Sequence, residues 1–285
     1  MAVATGSSTN TLLAAAGVMP DVFGMDIAME AANQSVMMPL CTPFNVGSGN
    51  NEVIPFVGTR SVTARTRGTD DGNAIVASAL NDSSRNFSKR TVYDAIKWDY
   101  MVDNDMDPIR LNSWLDGEKQ QSAEAHANDF DEQTLGLYAS ASSSVGGATD
   151  VTLPLLKEAI KKLRVANAKG QYNIVLPETQ WDHLADIDEL TRFDIRGEGD
   201  TITNKQAFRL HGVNIWTTNN VPTSGGVAHG LAFASSGIVY RLKTFLGVDD
   251  WNEKKDMAFY INTWADYRYA YTFANQLVDF QVNEA

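Results

Sequence analysis

The sequence holds one cysteine, Cys41, among 285 residues. That excludes an internal disulfide framework and any site built from several thiolates. A chain so poor in cysteine suits folding in a reducing cytoplasm. Positive charge is also scarce. Lys and Arg number 23 against 35 Asp and Glu, which leaves a net charge of -12. A dedicated nucleic-acid-binding domain carries a basic footprint that this balance does not supply. No apolar run approaches 18 residues, so no membrane-spanning helix is expected. The first residues, MAVATGSSTNTLLAAAGVMPD, lack a positive leading segment and do not read as a secretory signal. What remains is a chain with 44% hydrophobic residues and a mean hydropathy of -0.24. It is globular, and long enough for a sizeable core in one or two domains.

Motifs for chemistry are missing as well. Asp103-Asn-Asp105-Met-Asp107 resembles the start of a calcium-binding loop, but Pro108 stands where a Gly is required and Trp114 where a Glu is required. Turn and N-cap chemistry explains the run. His126, His183, His211 and His229 have no metal-type spacing among themselves. Gly47-Ser-Gly49 lacks a third Gly, and Gly225 to Gly230 is not followed by Lys-Ser/Thr, so phosphate loops are absent. No nucleophile elbow occurs. Cys41, between Leu40 and Thr42-Pro43, reads as a small buried apolar residue. No catalytic, cofactor-binding or metal-binding residue is assigned. Carboxylates that pair only in space leave a soluble α+β enzyme as a rival reading.

The longest organised stretch is Asp107 to Ser140. Asp107 suits an N-cap and Pro108 the first helical position. Leu111, Trp114, Leu115, Ala123, Ala127, Phe130, Leu137 and Tyr138 recur at three- and four-residue steps. A continuous helix here runs about 50 Å at 1.5 Å per residue. Gly117 and Gly136 each cost it about 1 kcal/mol relative to Ala. A rod with so thin an apolar stripe fits a helix lying across a sheet, with surface left for a partner. A break near Gly117 is the plainer alternative.

The rest follows in chain order. Residues 1–50 read as an arm rich in small polar residues. Met19, Met25, Met29, Met37 and Met38 serve as apolar anchors, and a short helix is expected over 21–33. The methionines and Phe23 are expected to lie on another element or another subunit. Residues 50–90 read as a two-stranded projection with turn clusters at 58–59 and 68–73. Residues 140–150, SASSSVGGATD, form a linker. Thr152 opens a helix with the stripe Leu153, Leu156, Ile160 and Leu163, which Gly170 ends. Tyr172 to Leu176 is a buried strand, and Pro177 opens a second helix. Phe208 to Pro222 reads as strand, tight turn at Gly212, strand. Residues 257–285 supply aromatic-rich strands. The class is α+β, with helices among antiparallel strands.

Charge separates two of these parts. Between residues 60 and 90, Arg60, Arg65, Arg67, Arg85, Lys89 and Arg90 stand against Asp70, Asp71 and Asp82, so 6 − 3 = +3. Between residues 94 and 132 three bases stand against eleven acids, so 3 − 11 = −8. This contrast predicts that the projection of one subunit, through Arg60, Arg65 and Arg67, docks on Asp116, Glu118 and Glu124 of a neighbour. The plain alternative is two solvated faces.

The order of parts, with the stretches QYNIVLPETQWDHLAD, FRLHGVNIWTTNNVP and GLAFASSGIVY, resembles the major capsid proteins of tailed bacteriophages, the Hong Kong 97-type capsid fold. That resemblance covers nearly the whole chain, through loose patterns rather than a signature. It implies an N-terminal arm (1–50), an extended loop (51–90) and a peripheral domain with a spine helix (91–150). An axial domain (151–256) and C-terminal strands returning to the peripheral domain (257–285) would follow. It implies a non-enzymatic subunit that assembles with itself, as pentamers and hexamers, into the icosahedral shell of a virion. Such a shell is built in the host cytoplasm and encloses double-stranded DNA without sequence-specific binding. A portal, and a scaffolding protein separate from this chain, are the other partners implied; no membrane and no cofactor is. A bacterial nanocompartment shell is the related alternative. Some members crosslink through a Lys of the extended loop; residues 50–88 contain no Lys, so no such crosslink is expected.

Overall fold

The computed structural model describes residues 27, 29–44, 53–57, 82–99, 108–191, 206–253 and 258–284. After a helical stretch over 29–34 come β1 (Thr42–Pro43), β2 (Val53–Val57), β3 (Asp82–Asn86), β4 (Ser88–Asp99) and α1 (Pro108–Leu135). Then follow β5 (Ser143–Gly146), α2 (Leu153–Val165), β6 (Tyr172–Pro177), α3 (Trp181–Ala185) and α4 (Asp188–Thr191). The chain closes with β7 (Gln206–Leu210), β8 (Val213–Thr218), β9 (Thr223–Ser224), β10 (Val227–Ala234), β11 (Ile238–Glu253), β12 (Ala258–Tyr271) and β13 (Leu277–Asn283).

Two sheets carry the architecture. The first has the order β1-β11-β12-β4 and is dominated by the long β11–β12 hairpin. The second has the order β5-β13-β10-β6-β8-β7, with β9 beside β10. Strands were expected to be antiparallel, yet β6 runs parallel to β8 and β5 parallel to β13. Two strands that are not hairpin partners meet in each case, which an apolar run alone cannot announce. β2 and β3 form the antiparallel stem of the expected projection. Residues 58–81, with their turn clusters, lie outside the described residues.

The second sheet follows from its strands' composition. Five consecutive residues of β6, Asn173 to Pro177, are buried, and β6 sits between β10 and β8. A continuous apolar run of this length is what a strand covered on both faces requires. α2 lies against β5, β10 and β13. Its buried stripe is Leu156, Ala159, Ile160 and Leu163, at three- and four-residue spacing. The helix ends earlier than expected. Ala166 follows Val165, and Asn167 takes the left-handed conformation at φ 53 that a helix stop demands. Gly170, at φ 103, instead makes the turn into β6, where a Cβ would stand 2.4 Å from Ser235 Oγ. Between β7 and β8 both turn residues, His211 and Gly212, have positive φ, the geometry of a two-residue hairpin.

α1 is continuous over 28 residues, about 42 Å, and Gly117 does not break it. Its buried face is Ser122, Ala123, His126, Ala127, Phe130, Asp131, Thr134 and Leu135. Leu137 and Tyr138 fall in a 3-10 turn beyond it and pack half-buried on the core. Phe130 meets Tyr267 at 5.2 Å and Tyr240 at 5.4 Å between ring centroids, both edge-on. One hydrophobic core joins α1, α2 and strands of both sheets.

The described apolar residues of the arm go to one of the two places expected for them, other elements of the chain. Val36, Met37, Met38, Leu40 and Cys41 are buried in the core of their own chain. Met29 is 60% exposed, and Met19, Met25 and Phe23 lie outside the described residues. β11 pairs with β12 and β12 with β4, so 238–253 lies in the four-stranded sheet and not in the sheet that holds β6, β8 and β10. β13 leaves the four-stranded sheet and pairs with β10, so 257–285 is divided between the two sheets. Leu277, Val278, Phe280 and Val282 are all buried, which a strand with neighbours on both edges explains.

Candidate functional site

The residues singled out for function lie on or near α1, and the helix has two different faces. Asp116, Gln120, Glu124, Asn128 and Glu132, at four-residue steps, are exposed along one side. Asp116 is 71% exposed, with Lys119 Nζ at 3.5 Å. An exposed pair at such spacing contributes a few tenths of a kcal/mol. Glu118 is half-buried and Glu124 fully outward. Asn220 donates from Nδ2 to Asn128 Oδ1 at 2.8 Å. Arg60, Arg65 and Arg67 lie outside the described residues.

The opposite face is a polar seam that sequence reasoning missed. Ser122 Oγ stands 2.9 Å and His126 Nε2 3.2 Å from Thr263 Oγ1 on β12. Thr263 in turn donates to the Asp94 carbonyl of β4 at 3.3 Å. Burial holds the His126 imidazole below its usual pKa. Further along, Arg90 donates to Asp129 from Nη2 at 2.6 Å and from Nε at 3.3 Å. The Tyr267 hydroxyl donates to the same carboxylate, and Tyr269 donates to Gln133 Oε1 at 3.1 Å. Its hydrogen bond to Asp129 pushes the Arg90 guanidinium up, and burial followed by Asp129 pushes the Tyr267 phenol up. Ser122 to Gln133 spans about 16 Å of helix, and Thr263 to Tyr269 about 20 Å of strand. Rod and strand therefore advance together, in register.

Asp131 fixes the arm. It is 1% exposed. Its carboxylate accepts from Ser35 Oγ at 2.6 Å, Val36 N at 2.9 Å and Met37 N at 3.0 Å. The Ser35 hydroxyl also accepts from Met38 N at 3.0 Å. Hydrogen bonds to an ionised acceptor are the strong ones. Beyond them, β1 pairs parallel to β11, and Phe44 N donates to the Tyr240 carbonyl at 2.8 Å. Burial, reinforced by the Asp131 charge, pushes the Cys41 thiol far above its ordinary value. This cysteine is a buried core residue, as expected. The one clue to Asp131 in the sequence is its phase. It falls four residues after Ala127 and beside Phe130, on the buried stripe.

Among the described residues no group of three or more His, Cys, Asp and Glu is placed to hold a metal. His229 Nδ1 lies 3.1 Å from Asp279 Oδ1, with its ring stacked on Tyr138 at 4.3 Å. That cluster ties β10, β13 and the 3-10 turn after α1 together. The site is thus an interaction scaffold: a rod locked to a sheet, an arm locked to the rod, and an acidic stripe left outward.

No protein-family model and no curated protein matches the chain in sequence. Solved structures do match in fold. A structure from Mycobacterium phage Che8 superposes with a TM-score of 0.66 at 18% identity, covering 87% of this chain and 91% of that one. The capsid structure of cyanophage P-SCSP1u gives 0.63 at 13% identity, with 88% and 89% covered. The capsid of a native GTA particle gives 0.62 at 11% identity, with 89% and 90% covered. The α+β fold of this chain is that of phage capsid structures.

Proposed function

We propose that this chain is the major shell-forming subunit of a tailed-phage head. Likeness to capsid structures over nearly the full length of both chains is the observation that carries the reading. A structural role also accords with a site whose polar groups are spent on holding elements together. Copies of the chain pack as pentamers and hexamers around double-stranded DNA. An acidic subunit, net −12, holds that DNA without tight phosphate binding. Assembly takes place in the host cytoplasm, with a portal and a separate scaffolding protein as further partners. The projection's Arg60, Arg65 and Arg67 dock on Asp116, Glu118 and Glu124 of a neighbour. Two observations support that contact: the acids lie on or beside an outward stripe, and Asp116 already takes a cation, Lys119, at 3.5 Å within the same chain. Each contact is weak, and many per subunit make a stable shell.

Negative-stain microscopy of the purified protein, alone and with its scaffold, tests the reading. Closed shells or capsomer rings are expected. A uniform dimer or tetramer that never forms shells under either condition overturns it. Reversal of Arg60, Arg65 and Arg67 is expected to weaken assembly at low salt; assemblies indifferent to both reversal and salt refute the docking contact.

A further inference from the structure

The lobe built on the seven-stranded sheet carries two faces of opposite charge. Over 151–171 the bases Lys157, Lys161, Lys162, Arg164 and Lys169 stand against Glu158, so 5 − 1 = +4. Over 178–189 Glu178, Asp182, Asp186, Asp188 and Glu189 give −5, with no Lys or Arg. In a chain of net −12, this is a local excess of positive charge on and just beyond one helix.

That side of α2 is also concave. Lys157, Lys161, Arg164 and the hairpin residue His211 border a groove of about 480 Å³, with Ile160 and Val165 as its apolar floor. Val165 is 79% exposed, among the large apolar side chains left uncovered in the described residues. Lys157, Lys161 and Arg164 are spaced about 6 and 4.5 Å along the helix axis, a row rather than a scatter. Lys157 reaches Glu189 at 3.8 Å, at the seam between the two faces. Lys162 is turned away, to Glu158 at 3.2 Å and the Ser144 carbonyl at 2.6 Å. The side chains of Lys161 and Arg164 have no ion pair or hydrogen bond among the described residues, nor have those of Asp182, Asp186 and Asp188. All five are exposed.

We infer that the α2 groove is an interface with a second copy of this chain, and that its occupant is the exposed acidic turn of α3–α4, carrying Asp182, Asp186 and Asp188. The inference rests on the shell reading and gives it a specific contact. A ring subunit needs two different faces, one for each neighbour, and complementary charge on one lobe provides them. The apolar floor distinguishes this occupant from a bare polyanion. A phosphate backbone gains nothing from the exposed Val165, whereas a folded turn with Ala185 exposed between its acids can cover it. Charge sets partner and register, and the floor supplies the burial.

A charge-swap series tests it. Three chains are prepared: K157E/K161E/R164E, D182K/D186K/D188K, and the combination of all six changes. Circular dichroism checks that each folds; all sites are exposed, so all should. Assembly is read by sizing chromatography and negative stain at low and high salt. Each single-face reversal is expected to raise the concentration needed for assembly roughly tenfold at low salt, and the combined chain to recover most of it. The inference is overturned if both reversals assemble as the parent does, or if the combined chain is no better than either. Loss of DNA retention without loss of assembly would make the groove a nucleic-acid site and overturn it equally. Parent protein that never assembles, alone or with its scaffold, overturns the shell reading itself, an outcome distinct from shells that ignore the reversals.

Discussion

Replacing Asp131 by Asn tests whether one buried carboxylate holds the arm. The wild-type carboxylate accepts from three donors, Ser35 Oγ, Val36 N and Met37 N. Asn keeps one acceptor oxygen, turns the other into a donor and removes the charge. One of two opposed backbone N–H groups then faces an NH2. A hydrogen bond to a charged acceptor contributes about 1.5–3 kcal/mol, and a stranded buried donor costs about 1–3. Partial relaxation brings the expected loss to about 2–3 kcal/mol. The arm should nevertheless stay docked, because Met37, Met38 and Leu40 each bury most of a large side chain, worth about 1.5–3 kcal/mol apiece. The loss therefore appears as more frequent local opening. Cys41 reports it directly, since it is the sole cysteine and 5% exposed in the docked arm. Thiol labelling under native conditions, normalised to the rate in denaturant, should accelerate roughly 30- to 150-fold in D131N, as 1.4 kcal/mol is a factor of ten. The reasoning is refuted if labelling is unchanged. It is also refuted if acceleration matches the fall in global stability, for then arm and core open as one unit.

Three further outcomes follow from the same seam and sheet. Tyr267→Phe removes a donor to Asp129 in a buried setting and should lower unfolding free energy by about 1–2 kcal/mol in urea. Burial lowers the His126 pKa in the folded chain, so as pH falls through about 6.5 the unfolded chain takes up a proton before the folded one does. Stability should rise with pH through that window, and His126→Gln should flatten the slope if fold and Thr263 contact survive. A Cβ at Gly230 would stand 2.5 Å from the Val175 carbonyl oxygen, an atom fixed by the β6–β10 pairing. Gly230→Ala should cost about 1–3 kcal/mol and leave soluble yield visibly lower.

What the sequence made legible was whatever depends on local pattern. α1 could be placed by its capping residues and three-four spacing, β6 by its run of apolar residues, and the β7–β8 turn by Gly212. Partners from far along the chain were not legible. Nothing near Leu277–Asn283 says that β13 lies on β10 rather than beside β12, since a buried strand reads the same in either sheet. The parallel pairings were hidden for the same reason. Gly170 was read as the helix stop because Gly is the usual residue there, and Asn167, which also tolerates positive φ, took the role.

The candidate site was half visible, and the hidden half has a physical explanation. A search for an apolar stripe finds α1 barely amphipathic because half of its buried positions, Ser122, His126, Asp131 and Thr134, are polar. An apolar stripe of this length would hold the rod against β12 while leaving it free to slide by a turn. Hydrogen bonds of Ser122 and His126 with Thr263, and from Arg90 and Tyr267 to Asp129, are satisfied at one register only. Polar groups so placed give specificity of position at some cost in burial. For a subunit that must present the same acidic stripe, arm and charged lobe to each neighbour, position matters more than added stability. A weakly patterned rod is therefore what such a subunit should have, and the low contrast that made the sequence hard to read follows from the role proposed for it.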